Sequence, residues 1–128
     1  MAHANNKAFT IIEAVIALFI FLIVVLGLLY SLNLSINVNM QNTLRNNALR
    51  IAQSQTDEIL NNAFNNTPIK VPYTKTIGVQ INNFVQNYTV SVEPSVEPQQ
   101  EVVLYTITVS WIYKGQTYYH TQNTAVHL

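Results

Sequence analysis

The sequence predicts an α+β protein, in which one long N-terminal α-helix packs its C-terminal half on a small antiparallel β-sheet. Three observations carry this. The chain is uncharged from Ala14 to Tyr30. Apolar residues then keep a helical spacing from Leu44 to Ala63, and after Pro68 the apolar period changes to two. At 128 residues there is room for one domain. Charged residues make up 9% and apolar residues 49%, against about 25% charged in an average globular domain.

Residues 1–8 are polar, carry one cation, Lys7, and are too short to form a domain. An ordinary secretory signal has an apolar core of about 7 to 15 residues and then a cleavage site, whereas the run beginning at Phe9 is longer and leads straight into helix. From Phe9 to Leu32 (residues 9–32) the chain is long enough, at about 1.5 Å per residue, to cross a hydrocarbon core of about 30 Å. It is apolar on every side, so it cannot stand alone in water.

Residues 33–66 are expected to continue the same helix with an amphipathic face of Leu44, Ala48, Ile51, Ala52, Gln55, Ile59 and Ala63. Neither Pro nor Gly interrupts Leu28 to Thr67. A helix from Phe9 to Ala63 would be about 80 Å long. Pro68 is expected to end it, because proline lacks an amide donor and forces the preceding residue out of helical geometry.

Residues 67–128 are assigned to the sheet. Tyr88, Val90 and Val92 alternate with polar residues, as do Val103, Tyr105, Ile107, Val109, Trp111 and Tyr113. Lys114-Gly115 fits a tight hairpin, with Thr117 to Val126 as the returning strand and a further strand expected around Val71 to Ile77. Ser91 to Pro98 reads Ser-Val-Glu-Pro twice, and its prolines predict a loop. The strands' apolar face needs a cover, and the amphipathic half of the helix is the one candidate in the chain.

Composition excludes several classes of function. Formal net charge is zero and Lys and Arg do not cluster, which argues against direct nucleic-acid binding. Without cysteine there is no disulfide framework and no thiolate metal site. The three glycines are scattered, so no phosphate loop exists. His120 and His127, seven apart on one strand, fall on opposite faces, and His3 lies far away in the leader, so metal ligation is not expected. Glu93, Glu97 and Glu101 lack the dense Asp/Asn/Gly spacing of a calcium loop and read as a solvated acidic turn. Trp111, on an apolar strand face, reads as core. The expectation is a protein without catalytic residues, cofactor or metal.

Glu13 is the exception to the bland reading. A carboxylate beside a bilayer-length helix costs on the order of 2.5 to 3.5 kcal/mol at the helix centre and less toward its end. It is either tolerated, by snorkelling to the interface, or used.

The run Lys7-Ala8-Phe9-Thr10-Ile11-Ile12-Glu13 ahead of an unbroken apolar helix resembles the N-terminal segment of type IV prepilins and of the related type II secretion pseudopilins. In that family a short cationic leader is removed on the cytoplasmic side before Phe or Met, the new N-terminus is methylated, and Glu stands fifth in the mature chain. The resemblance implies a cut between Ala8 and Phe9, methylation of Phe9, and roles in assembly and register for Glu13 and Thr10. Ala8 departs from the family's usual Gly, and the chain cannot form the disulfide that closes many major pilins.

The implied partners are a prepilin peptidase and N-methyltransferase, other pilin or pseudopilin subunits, and the bacterial inner membrane, with the C-terminal domain outside the cytoplasm before assembly. In a helix bundle Glu13 would need a partner, and the amine released at Phe9 can supply it; a misregistered subunit would leave a charge unpaired. The stretch Tyr105 to Trp111 with its following hairpin looks most like small minor pilins of the pilus-modification type, and minor pseudopilins have similar endings. A membrane-anchored binding module is a reading of another class; its surface would be Ser91 to Glu101 or the strand around Tyr118 and Tyr119. Gly27 marks either a soft point in the helix or a place of close helix contact.

Overall fold

The computed structural model describes residues 10–97 and 101–127, so residues 1–8 and Phe9 lie outside it. One helix, α1 (Ile11–Phe64), precedes four strands, β1 (Tyr73–Ile81), β2 (Phe84–Glu97), β3 (Val102–Tyr113) and β4 (Gln116–His127). The strands form one antiparallel meander in the order β1-β2-β3-β4. This is the α+β layout that the two apolar periods predict, and it agrees with the pilin architecture that the resemblance implies. The described residues divide into two units, the boundary falling within α1 between Met40 and Gln41.

In the first unit the helix leaves its apolar side chains uncovered, with Ile11, Phe19, Leu26 and Tyr30 all exposed. It contains a stretch long and apolar enough to cross a membrane. Gly27 does not interrupt it, and no neighbouring side chain lies within 4 Å of where a Cβ would stand.

In the second unit the helix buries Leu44, Ala48, Ile51, Ala52, Gln55, Thr56 and Ile59. Six of these are the predicted face; Ala63 is only half-buried, and Thr56 joins the face by donating its hydroxyl to the Ala52 carbonyl at 3.0 Å. The sheet contributes Tyr88, Val90, Val92, Ile107, Val109 and Trp111 to the same core. Tyr73, Tyr88 and Gln122 are hydrogen-bonded across this interface. Tyr88 donates its hydroxyl to the Leu44 carbonyl at 2.9 Å, Tyr73 to Gln55 Oε1 at 2.7 Å, and Gln122 Nε2 donates to Thr56 Oγ1 at 3.0 Å. A buried hydroxyl without such a partner would cost about 1–3 kcal/mol. Trp111 is core, as expected, with Tyr88 tilted against it at 5.8 Å and Tyr118 stacked on it at 5.9 Å between ring centroids.

Two local expectations are corrected. Pro68 does not itself stop the helix. The stop comes earlier, where Asn66 takes the left-handed conformation (φ 54°). Asn66 N–H bonds the Ala63 carbonyl and Thr67 N–H bonds the Asn62 carbonyl, at 3.2 and 2.8 Å, a Schellman cap with Asn in the usual glycine position.

The second correction concerns Ser91–Glu97, which continues β2 instead of forming a loop, while Pro98 lies outside the described residues. Hydrogen-bonded and non-bonded pairs alternate along antiparallel strands. Counting from the hairpin pair Ile81↔Phe84, the missing N–H of Pro94 falls on the β1 side. The pairing of β1 ends at Tyr73↔Val92, so no ladder bond is lost there.

The Lys114-Gly115 hairpin forms as predicted, both residues having positive φ (50° and 76°), the two-residue turn that matches strand twist. The Asn82-Asn83 turn between β1 and β2, with Asn82 at φ 50°, is a further hairpin, not anticipated from the sequence.

Candidate functional site at the helix N-terminus

Ala14 N–H bonds the Thr10 carbonyl at 3.1 Å, which makes Thr10 the residue that opens α1. An α-helix begins with backbone N–H groups that have no partner within it. Here two of them are satisfied reciprocally. Glu13 N–H donates to Thr10 Oγ1 at 3.2 Å, and Thr10 N–H donates to Glu13 Oε2 at 3.3 Å. This is a capping box, built by Thr-x-x-Glu. The structure therefore brings the two predicted assembly residues into one hydrogen-bonded pair.

The arrangement gives Glu13 a local use that sequence reasoning missed, although Thr10-Ile11-Ile12-Glu13 before an apolar run is its signature. The cap holds the carboxylate at the positive end of the helix dipole, where negative charge is favoured. Thr10, Ile11, Ile12 and Glu13 are all exposed, so the turn is open to other molecules. Ala8 and Phe9, the predicted cleavage and methylation positions, lie outside the described residues. By covalent geometry alone, an amine created at Phe9 would stand one residue before the capped Thr10.

Glu93 and Glu101 are exposed, while Tyr119 is exposed and Tyr118 is turned onto Trp111. His120 is half-buried with its Nε2 unpartnered, and His127, seven residues on, is exposed. Among the described residues no three His, Cys, Asp or Glu side chains gather as metal ligands. Glu58 and Lys75 pair at 3.8 Å beside a half-open cleft of about 350 Å³ that Ile69 and Tyr73 also line.

Residues 3–29 match the family model described as the prokaryotic N-terminal methylation motif. No curated protein and no solved structure matches the chain. The matched segment contains Ala8, Phe9, the capped pair Thr10 and Glu13, and most of the exposed apolar helix, and it supports membership of the type IV prepilin and pseudopilin family.

Proposed function

We propose that the chain is a minor type IV pilin, a non-enzymatic subunit held in the inner membrane by the apolar part of α1 and then incorporated into an envelope filament. A prepilin peptidase cuts between Ala8 and Phe9 and Phe9 is N-methylated. The observation that carries this reading is the methylation motif over residues 3–29, joined to a long apolar helix and a four-stranded sheet. The capped helix end adds a physical account of assembly. Once the leader is removed, the Phe9 amine of the same or a neighbouring chain is the counter-ion for Glu13. In the apolar interior of a bundle that pairing sets register, since a charge left alone costs several kcal/mol.

Incorporation is the test. Mature subunits are separated into membrane and sheared-filament fractions, with Glu13→Ala compared to wild type. Membrane retention with lost incorporation is expected, and normal incorporation would overturn the assembly role. Gene neighbourhood distinguishes a pilus machine from a type II secretion machine.

A further inference from the structure

The sheet has two open edges. Among the described residues β4 pairs only with β3, and β1 only with β2. Proteins usually protect such edges with lysine, proline, bulges or very short strands, because a free row of N–H and C=O groups is a template for another strand. β4 uses none of these. It is twelve residues long, pairs without a break along β3, and contains no Asp, Glu, Lys, Arg, Pro or Gly. β1 is nine residues long, and its one charge, Lys75, is held by Glu58 on the helix side.

The register shows which groups each edge offers. Counting from the hairpin pair Tyr113↔Gln116, the N–H and C=O groups of Thr117, Tyr119, Thr121, Asn123 and Ala125 point away from β3. Counting from Ile81↔Phe84, those of Thr74, Thr76, Gly78 and Gln80 point away from β2. The side chains of both rows lie on the sheet face away from the core, where they are exposed. In a meander of four strands β1 and β4 run in opposite directions. A second copy in the same orientation therefore presents its β1 antiparallel to β4 of the first.

We propose that β4 accepts the β1 edge of a second copy of this chain, extending one antiparallel sheet from subunit to subunit. The contact is heterologous, joining two different edges, so it repeats instead of closing at a dimer. Backbone hydrogen bonds supply it, as in strand addition generally, and the absence of charge on β4 removes any like-charge penalty. The inference deepens the filament-subunit reading and rests on it for the common orientation of the copies.

The full chain has no cysteine, so engineered thiols report without background. Within one chain, residues on β1 and β4 are three strand spacings apart, about 14 Å, too far for a disulfide. Equivalent residues of adjoining copies are four spacings apart, about 19 Å.

Mature full-length protein is oxidised in the membrane, and mass spectrometry of the same sample reads whether Phe9 leads the chain. Thr121→Cys alone should stay monomeric. Combined in turn with Thr74→Cys, Thr76→Cys or Gln80→Cys, it should give a ladder of dimers and higher oligomers in at least one pair. Adding Asn123→Pro, which removes one outward N–H on an edge, should reduce that ladder at least tenfold while circular dichroism retains the strand signal. Monomers in all three pairs would overturn the proposal even with Phe9 correctly processed, and so would dimers from Thr121→Cys alone, which mark two-fold pairing of β4.

Discussion

Substitution at Glu13 and Thr10 separates two roles that one carboxylate combines. Thr10→Ala removes the hydroxyl that receives Glu13 N–H at 3.2 Å but leaves the charge. Glu13→Gln does the reverse, since glutamine at that position still accepts from Thr10 N–H. Loss of an N-cap costs about 1 kcal/mol, a factor of about five in an equilibrium at about 1.4 kcal/mol per decade. Loss of one member of a buried ion pair costs about 3–5 kcal/mol, a factor of a hundred or more. Immunoblots of sheared-filament against membrane fractions read the ratio. The expected order is wild type, then Thr10→Ala reduced several-fold, then Glu13→Gln reduced at least a hundredfold. If Glu13→Gln incorporates as wild type while Thr10→Ala is impaired, the carboxylate acts only as a cap, and the register argument is wrong.

Tyr88→Phe removes the hydroxyl that donates to the Leu44 carbonyl at 2.9 Å, while that mid-helix carbonyl keeps its own bond within α1, and should lower stability by about 0.5–1.5 kcal/mol, read from urea unfolding in detergent. Asn66→Gly relieves the left-handed cap at φ 54° and should raise stability by about 0.5–1 kcal/mol in the same measurement. Burial raises the Tyr88 phenol above its ordinary 10.0, with the Asn47 hydrogen bond acting the other way; burial, and then the Glu58 carboxylate, raises Tyr73. In each case the unfolded state ionises first. Stability is therefore fully present below about pH 10 and falls above it. Tyr73→Phe and Tyr88→Phe should flatten that loss when unfolding is measured at pH 8 and near pH 11.

The sequence made α1 and its buried face legible because a three-and-four spacing permits one apolar stripe, and Leu44 to Ile59 supply it without a breaker. Strands β3 and β4 were legible for the same kind of reason, a period of two around a Lys-Gly turn. The end of α1 and the course of Ser91–Glu97 were not. Asn66 rather than Pro68 closes the helix through a left-handed conformation that asparagine tolerates, and nothing in composition says which of three polar residues will adopt it. Pro94 breaks a strand only when its missing N–H faces a partner, which depends on where β1 stops. At the functional end Glu13 stood out as an energetic liability, and its tie to Thr10 lay in a four-residue signature beside it. The cost of a carboxylate beside a bilayer-length apolar helix points to some partner, and the folded helix end identifies Thr10 as one.

Cleavage between Ala8 and Phe9 creates the amine proposed as the counter-ion of Glu13. Intact-mass and N-terminal peptide mass spectrometry of the protein purified from cells containing a prepilin peptidase measures it directly. The predicted result is a chain beginning at Phe9 with one methyl group on its α-amine. A chain retaining Met1 to Ala8 in such cells would contradict both the processing and the Glu13–Phe9 pairing.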